Sequence, residues 1–351
     1  MEVVVQQITI YDIAQEAGVS SATVSRAISG KGYVSAEKRA VILQIVEKYN
    51  FRPNTFAQSL KAGYTKTIGF IVPNIGNMYF ANVYYEFEKK ASEHGYLTML
   101  LNSNGDYETE SRLFHSLLLK NVDGIVMMGG RLDAVELEEK WIQEVRELSV
   151  RIPIVMCGGL AARFECPGIY TDDSKGVELL LNLLKEQGCQ SVCFIGGSDR
   201  FFPSYSKRES AMRYGKKLGM KVDVIWKEEG PMFNYEAGIL DMQKLLAQKR
   251  CPDAVCGAND YVAAGAMKVA VQAGLRVPED ILIAGFDNVD ICTIQTPLLT
   301  SVSPRYESFG RKTFKILEKL IQGKEISQTA AILVHPEVIA RESTRRNVVE
   351  N

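Results

Sequence analysis

Residues 10–29 read IYDIAQEAGVSSATVSRAIS. Ile10, Ile13, Ala14 and Ala17 recur at the i, i+3, i+4, i+7 spacing that gives a helix one buried face. Gly18 then supplies the backbone freedom for a tight turn. Ser20 or Ser21 can cap a second helix that reaches about Ser29. Val24, Ala27 and Ile28 face inward from it, and Ala14 is small where the two helices must cross closely. Ser21, Ala22, Ser25, Arg26 and Ser29 are left outward. Ala14, Gly18 and Val24 coincide at helix-turn-helix spacing, which a bare αα-hairpin would not require. A thin, polar, outward helix face fits the major groove of DNA. Arg26 can offer two hydrogen bonds to guanine O6 and N7. The hydroxyls of Thr9, Tyr11, Ser20, Thr23 and Ser25 can hold phosphates, which sets register and not sequence.

Outward from this stretch, Ser35 starts a third helix with Ile42, Ile45, Val46 and Tyr49 on one face. Arg52-Pro53-Asn54 interrupts the pattern. A short helical stretch, Thr55 to Ala62, follows and ends at Gly63. The first 66 residues hold eight Lys/Arg against five acids, although the whole chain carries a formal net charge of −1. A local basic excess suits a phosphate-facing module but is weak by itself. From Thr67 the texture changes. Apolar runs (TIGFIV at 67, LTMLL at 97, GIVMM at 124, PIVMC at 153, VCFIG at 192, VDVIW at 222, AVCGA at 254, ILIAG at 281) alternate with amphipathic stretches. Those stretches predict helices near 79–95, 108–120, 133–149, 174–188, 206–219, 234–248, 260–274 and 304–322. Strict β/α alternation implies α/β architecture with parallel sheets covered on both faces. Eight such units are too many for one ordinary sheet, which leaves two lobes or a barrel.

Several function classes are disfavoured. Seven cysteines without CxxC pairs or nearby histidines argue against a disulfide framework and against a zinc or other metal site. His94 and His115 fall in predicted helices and His335 in a C-terminal strand. The N-terminus lacks a signal-peptide pattern, and no apolar run approaches the ~18 residues of a membrane span. The expectation is a cytoplasmic protein. No GxSxG elbow, metal-spaced cluster or GxGxxG turn is present, so neither an enzyme nor a cofactor is expected. The glycines of FIGGS read as a strand-end turn.

The segment TIYDIAQEAGVSSATVSRAISGKGYVSAEKR, continued by YNFRPNTFAQSLKAGYTKTIGFIVPN, closely resembles the lactose-repressor/galactose-repressor (LacI/GalR) family of transcription regulators. The likeness runs from Thr9 to about Arg345. It implies a helix-turn-helix domain (1–52), a hinge helix and linker (53–66), a two-lobed core of doubly wound parallel sheets like periplasmic sugar-binding proteins (67–345) and a tail (346–351). The two lobes are thereby favoured over the barrel. The resemblance also implies that Ser21, Ala22 and Arg26 read bases. Ala22 cannot donate a hydrogen bond, so its selectivity would be apolar or steric. Ala57 and Leu60 match the family's minor-groove segment, whose leucine wedges between central base pairs. So short a helix is marginal alone and should form when two copies pack together on DNA.

Ligands of open α/β sheets bind beyond the carboxyl ends of the strands. Asn74, Ser198 with Asp199, Asn259 with Asp260, and Asp287 with Asn288 sit at such ends. Arg208 opens a helix shortly after one strand, and Tyr79, Phe80 and Phe233 offer faces for a ring. By resemblance, Arg208 and Asp287 form the paired effector contact, Asn259 adds a polar one, and Phe80 and Phe233 are walls with Tyr79 beside them. Gly158-Gly159 stands where relatives place bulkier or polar groups, so it is expected to open the pocket and to disfavour a purine. Together these readings predict a homodimeric regulator, most simply a repressor, of carbohydrate genes. It would bind a near-palindromic double-stranded operator, with a small-molecule effector, a sugar, shifting the hinge spacing. The alternative is a global carbon-catabolite regulator with a phosphorylated carrier protein as co-regulator. A transport protein would lack the DNA module. No leucine-heptad extension follows the last strand, so tetramers by that route are not expected.

Overall fold

Three short helices in the first unit enclose a core that only their combined faces can bury. They are α1 (Ile10–Glu16), α2 (Ser21–Ser29) and α3 (Ala36–Lys48). Ile13, Val24 and Ile42 are fully buried between them, with Ala14, Ala27 and Ile45 alongside. Gly18 takes φ +61° in the turn after α1, and Gly30 takes φ +71° as the C-cap of α2. L side chains rarely adopt such values. The computed structural model describes residues 8–30, 32–51, 64–230, 232–248, 251–327 and 330–346. The chain divides into two units, Met1–Thr65 and Lys66–Asn351. The proposed hinge helix, with Ala57 and Leu60, lies outside the described residues.

The second unit holds two open sheets. The first comprises β1 (Thr67–Val72), β2 (Leu97–Asn102), β3 (Gly124–Met128), β4 (Ile154–Cys157), β5 (Gly168–Thr171) and β11 (Ala331–Val334), in the order β11-β5-β4-β3-β1-β2. Every pairing in it is parallel. The second comprises β6 (Ser191–Ile195), β7 (Lys221–Ile225), β8 (Ala254–Gly257), β9 (Leu282–Phe286), β10 (Thr300–Ser303) and β12 (Glu337–Ile339), in the order β12-β10-β9-β8-β6-β7. Only β12 runs antiparallel to its neighbour. Two open sheets exclude the barrel. Both have the doubly wound order in which strand direction of travel reverses beside the first strand, and that reversal opens a crevice at the carboxyl ends.

Helices cover both sheets. The first carries α4 (Met78–Glu93), α5 (Tyr107–Leu119) and α6 (Glu139–Ser149). The second carries α7 (Asp173–Glu186), α8 (Phe202–Leu218), α9 (Tyr235–Ala247), α10 (Asp260–Gln272) and α11 (Ile291–Ile294). The chain then leaves β10 and returns to the first sheet as α12 (Tyr306–Ile321), whose Phe309, Phe314 and Leu317 join the core of Ile68, Phe70 and Phe87. It thus passes between the sheets after β5, after β10 and after β11. The strands β5 and β10 were not picked out from the sequence, and the C-terminal strand expected at His335 is two strands, β11 and β12, on either side of it. In β10 the buried side chains are themselves polar: Ser301 donates to Asp260 (2.6 Å) and Thr300 shares a hydrogen bond with Thr344 (2.7 Å). The helix predicted over 133–149 begins only at Glu139, because residues 130–132 form a 3-10 turn and Asp133 ends it. The helix predicted from 206 begins at Phe202, with Pro203 in its first turn. His335 lies between β11 and β12 and not within a strand. Arg346, placed with the tail, is tied to the core through Gln187 and Pro278. Among the described residues no helix is long and apolar enough to cross a membrane.

Close packing of α9 on α10 rests on two glycines. A Cβ at Gly238 would lie 2.0 Å from the carbonyl oxygen of Val262, and one at Gly265 would lie 2.2 Å from that of Tyr235. Backbone cannot yield as a flexible side chain can, so the helices would have to separate. Gly238→Ala should cost about 1–3 kcal/mol, the usual range for overpacking. Thermal unfolding of the full chain should show a midpoint several degrees lower. A midpoint equal to or above that of the parent would mean that the contact carries no constraint.

Candidate functional site

The outward face of α2 is as thin and polar as its sequence suggests. Ala22, Arg26 and Ser29 are exposed, and Ser21, Thr23 and Ser25 are partly so. Tyr11 of α1 is 72% exposed. The hydroxyls expected at phosphates also have work inside the fold. Thr9 caps α1 in a capping box with Asp12: the Thr9 backbone N–H donates to the Asp12 carboxylate (2.7 Å) and the Asp12 N–H to Thr9 Oγ1 (3.4 Å). The Thr9 hydroxyl, which also donates to that carboxylate (2.7 Å), and the Thr9 backbone N–H hold the Asp12 carboxyl below its usual range. Ser20, and not Ser21, caps α2, accepting from the Thr23 N–H (3.3 Å) and sharing a hydrogen bond with its hydroxyl (2.9 Å). Tyr33, in the turn after α2, is 91% exposed and was not singled out from the sequence.

In the second unit, the strand ends of both sheets face one cavity of about 980 Å3. Asn74, Tyr79, Phe80, Phe233, Asn259 and Asp287 all line it, as the sequence suggested. Arg208 does not. Ser204, Lys207 and Ala211 form the buried face of α8, so Arg208 is turned about 100° away along the helix. Its Nε donates to Asp199 (2.9 Å), which is thereby also drawn off the cavity. The cation at the wall is Lys207, 7% exposed, with its Nζ 3.3 Å from the carbonyl oxygen of Ala258 and 3.7 Å from Asp173. The helical phase of Ser204 and Ala211 carried that signal.

Asp287 stands in an unusual backbone conformation, φ +96°, with Asn288 at +51° after it. Left-handed non-glycine residues need surroundings that over-determine them. Here Asp287 N–H donates to Val302 O (2.9 Å), Tyr306 OH donates to Asp287 O (2.6 Å), and Asn288 N–H donates to Ser301 Oγ (2.9 Å). Asp260, buried at the start of α10, accepts from the Val289 N–H (2.9 Å) and from Ser301. Burial and the nearby Asp287 push the Asp260 carboxyl up to about 8. Asp260 and Asn288 therefore brace the loop and do not line the cavity. Asn259 caps α10 through Oδ1 and pins Phe233 by donating from Nδ2 to its carbonyl (2.8 Å). Phe233 too is left-handed, φ +56°.

Asp133 was not anticipated. It follows β3 and is carried by the 3-10 turn of residues 130–132, which Arg131 anchors. That arginine is fully buried and donates to Glu110 (2.7 Å), to Glu144 (2.6 Å), to Ser111 and to the Tyr107 carbonyl. Its guanidinium lies 4.9 Å from the Trp141 ring, and Trp141 and Tyr107 reach the cavity. Burial pushes Asp133 up to about 7 and Asp287 to about 6, with Asp173 also raised and Lys207 opposing each shift. Burial and these three carboxylates push the Tyr79 hydroxyl up. Gly158 and Gly159 both line the cavity, but the space a side chain would take at either is occupied. A Cβ at Gly159 would meet the Phe202 ring at 2.2 Å, and one at Gly158 would meet Leu132 at 2.7 Å, so neighbouring side chains fill that space. Among the described residues no group of three His, Cys, Asp or Glu is placed to hold a metal ion.

Comparisons agree with both halves of this description. The pattern of "Bacterial regulatory proteins, lacI family" matches residues 9–54, and that of "Periplasmic binding protein-like domain" matches residues 181–344. The catabolite control protein A of Priestia megaterium is 30% identical over 339 residues, 96% of this chain and 99% of that protein. The protein of the same name from Staphylococcus epidermidis is 31% identical over 330 residues, 93% of this chain and 97% of that one. A lac repressor dimer bound to operator and the anti-inducer ONPF shares the fold, with TM-score 0.85 at 22% identity over 97% of this chain and 99% of that one. The transcription regulator CcpA of Lactococcus lactis superposes with TM-score 0.69 at 26% identity over 80% of this chain and 99% of that one. The chain therefore belongs to the lacI family of bacterial regulatory proteins and is a DNA-binding transcription regulator.

Proposed function

We propose that this regulator acts as a homodimer on a near-palindromic operator and represses carbohydrate genes under the control of a sugar held in the cavity. The observation that carries the reading is the cavity itself. Strand ends of two separate sheets converge on it, with aromatic faces and ionisable oxygens suited to hydroxyls. The exposed Ala22 and Arg26 on the same chain supply the reading surface. In this account residues 1–52 bind DNA, 53–66 form the hinge whose Ala57 and Leu60 meet the minor groove, and 67–345 bind the effector and the second copy. The ionisable groups of the cavity are read as binding groups, in keeping with the transcription regulators that the chain resembles. The names of the Priestia and Staphylococcus relatives, catabolite control protein A, favour a second reading, a global carbon-catabolite regulator. In that reading the co-regulator is a phosphorylated carrier protein. Capture of a phosphorylated carrier protein by the full chain, with no sugar response, would favour that one.

For DNA, Arg26→Ala should cost about 1–3 kcal/mol per contacted half-site and relax the guanine preference there. Selection of binding sites from a random library with parent and variant reads this directly; an unchanged motif would remove Arg26 from base reading.

For the effector, a thermal-shift screen across sugars identifies the ligand, because a compound that binds only the native state raises the midpoint. With that sugar, Asp287→Asn and Lys207→Met should each weaken binding at least tenfold in calorimetry. Arg208→Ala should change it less than twofold. The reverse ranking would restore Arg208 to the site. The same titrations should depend on pH. Ionised Asp133 and Asp287 accept hydroxyl hydrogen bonds better than their protonated forms, so binding favours ionisation and releases protons. Affinity should therefore rise from pH 5.5 to 7.5, across the raised values of about 6 and about 7. A flat profile would mean that neither carboxylate meets the ligand.

A further inference from the structure

The charges around the cavity narrow the class of effector, granted the reading of the cavity as the effector site. Seven carboxylates are among its lining residues. Asp106, Glu108 and Glu138 are exposed, and Asp172 caps α7 and lies 3.8 Å from His335. The other three face it from different elements: Asp133 after β3, Asp173 in the first turn of α7, and Asp287 after β9. All three line the cavity together with Tyr79. One ammonium answers them. Lys207 lies 3.7 Å from Asp173 and 4.6 Å from the Phe286 ring centroid, sheltered from solvent. With every group ionised, this interior carries two more negative charges than positive. The remaining cation among the lining residues, Arg200, is exposed and donates to the Glu228 carbonyl (3.2 Å), with the exposed Glu108 and Glu138 also lining the cavity. Arg208 is engaged by Asp199 and Glu209 outside the cavity. Independently of these charges, the hydroxyl oxygen of Thr171, a lining residue, is buried without a hydrogen-bond partner.

We infer that the cavity takes a polyhydroxyl compound bearing no acidic group, neutral or amine-substituted, and rejects the phosphate esters of the same sugars. Sugar hydroxyls donate to carboxylates without adding charge, and an ammonium would offset the excess. A phosphate monoester brings about −1.5 to −2 charges. Placed near three carboxylates in a medium less polar than water, it is repelled more strongly than it would be at a surface. The one buried cation among the described lining residues, Lys207, already has Asp173 beside it. It is a lysine, a point charge, and not the two-pronged guanidinium that grips phosphate oxygens.

The test uses the full chain and matched probes: glucose, maltose and cellobiose, glucosamine, and glucose 6-phosphate with the other available 6-phosphates, by thermal shift and then calorimetry. At least one neutral or amino sugar should bind, with its phosphate ester at least 100-fold weaker. Asp133→Asn should narrow that gap at least tenfold by strengthening the ester. Asp173→Asn, which also frees Lys207, should do so as well and serves if the first variant folds poorly. An ester that binds as tightly as its parent sugar, and loses binding in Asp287→Asn, would overturn the charge rule and leave the effector reading standing. A gap unchanged in both variants would overturn its electrostatic origin. Silence across all three classes of probe would overturn the effector reading and this inference with it.

Discussion

The cavity exists at the cost of burying like charges together, and the Lys207 ammonium is what makes that arrangement tenable. Removing a carboxylate from water costs several kcal/mol unless a partner or hydrogen bonds compensate. Asp173 has the ammonium at 3.7 Å. Asp287 feels it less directly, and Asp133 has it only as a minor offset to burial and to Asp173. For both Asp133 and Asp287 burial dominates and raises the carboxyl, with Lys207 opposing the rise. The unliganded cavity is therefore under-compensated near neutral pH. A hydroxyl-rich ligand supplies the missing donors, and its binding energy includes relief of that imbalance.

The same residues show how a ligand could act beyond its own contacts. Asp133 belongs to the first sheet and Asp287 to the second, while the chain passes between the sheets after β5, β10 and β11. Neither sheet can tilt without moving those connections and the loops they carry. Both carboxylates are also rigidly mounted, Asp133 beside the buried Arg131 cluster and Asp287 in a left-handed loop braced by Val302 and Tyr306. A ligand that bridges rigid mounts on two bodies has different affinities for their different arrangements. That difference is the requirement for any ligand-driven switch, and couplings of about 1–3 kcal/mol are typical.

Much of this was legible in the sequence, for identifiable reasons. The three-helix unit could be read because Ala14, Gly18 and Val24 each answer a separate packing demand at fixed spacing. The strands that carry long apolar runs were readable, whereas β10 was not, since Thr300, Ser301 and Ser303 are buried polar residues, the first two with partners 44 and 41 residues away in Thr344 and Asp260. In the cavity, strand-end position correctly brought out Asn74, Asn259 and Asp287. It also pointed to Ser198, Asp199, Asp260 and Asn288, which do not line the cavity, because a strand end fixes where a residue begins and not where its side chain turns. Resemblance placed the cation at Arg208, one residue from the lysine that the helix phase buries. The glycine pair at 158–159 looked like open space only while Phe202 and Leu132 were distant in sequence.

The helix-turn-helix raises the opposite problem, a sequence signal with two physical causes. Thr9, Ser20 and Thr23 stand where hydroxyls could hold phosphates, yet Thr9 and Ser20 already cap helices and the Thr23 hydroxyl is hydrogen-bonded to that of Ser20. An N-cap hydroxyl replaced by alanine costs about 0.5–2 kcal/mol of stability whether or not DNA is present. Their occurrence in the motif therefore says little about contact, and loss of DNA binding on mutating them would not separate the two causes. Ala22 and Arg26 have no such second duty in the fold's interior, being exposed on the face opposite Val24 and Ala27. Arg26 does rest its aliphatic stem near Gly32, where a Cβ would lie 3.3 Å from it, so its direction from the helix is constrained by the following turn. A side chain that is exposed, charged and held in direction gains nothing evident from the monomer's fold. Among the residues singled out on α2, Arg26 is the one whose chemistry is best explained by a partner outside the chain.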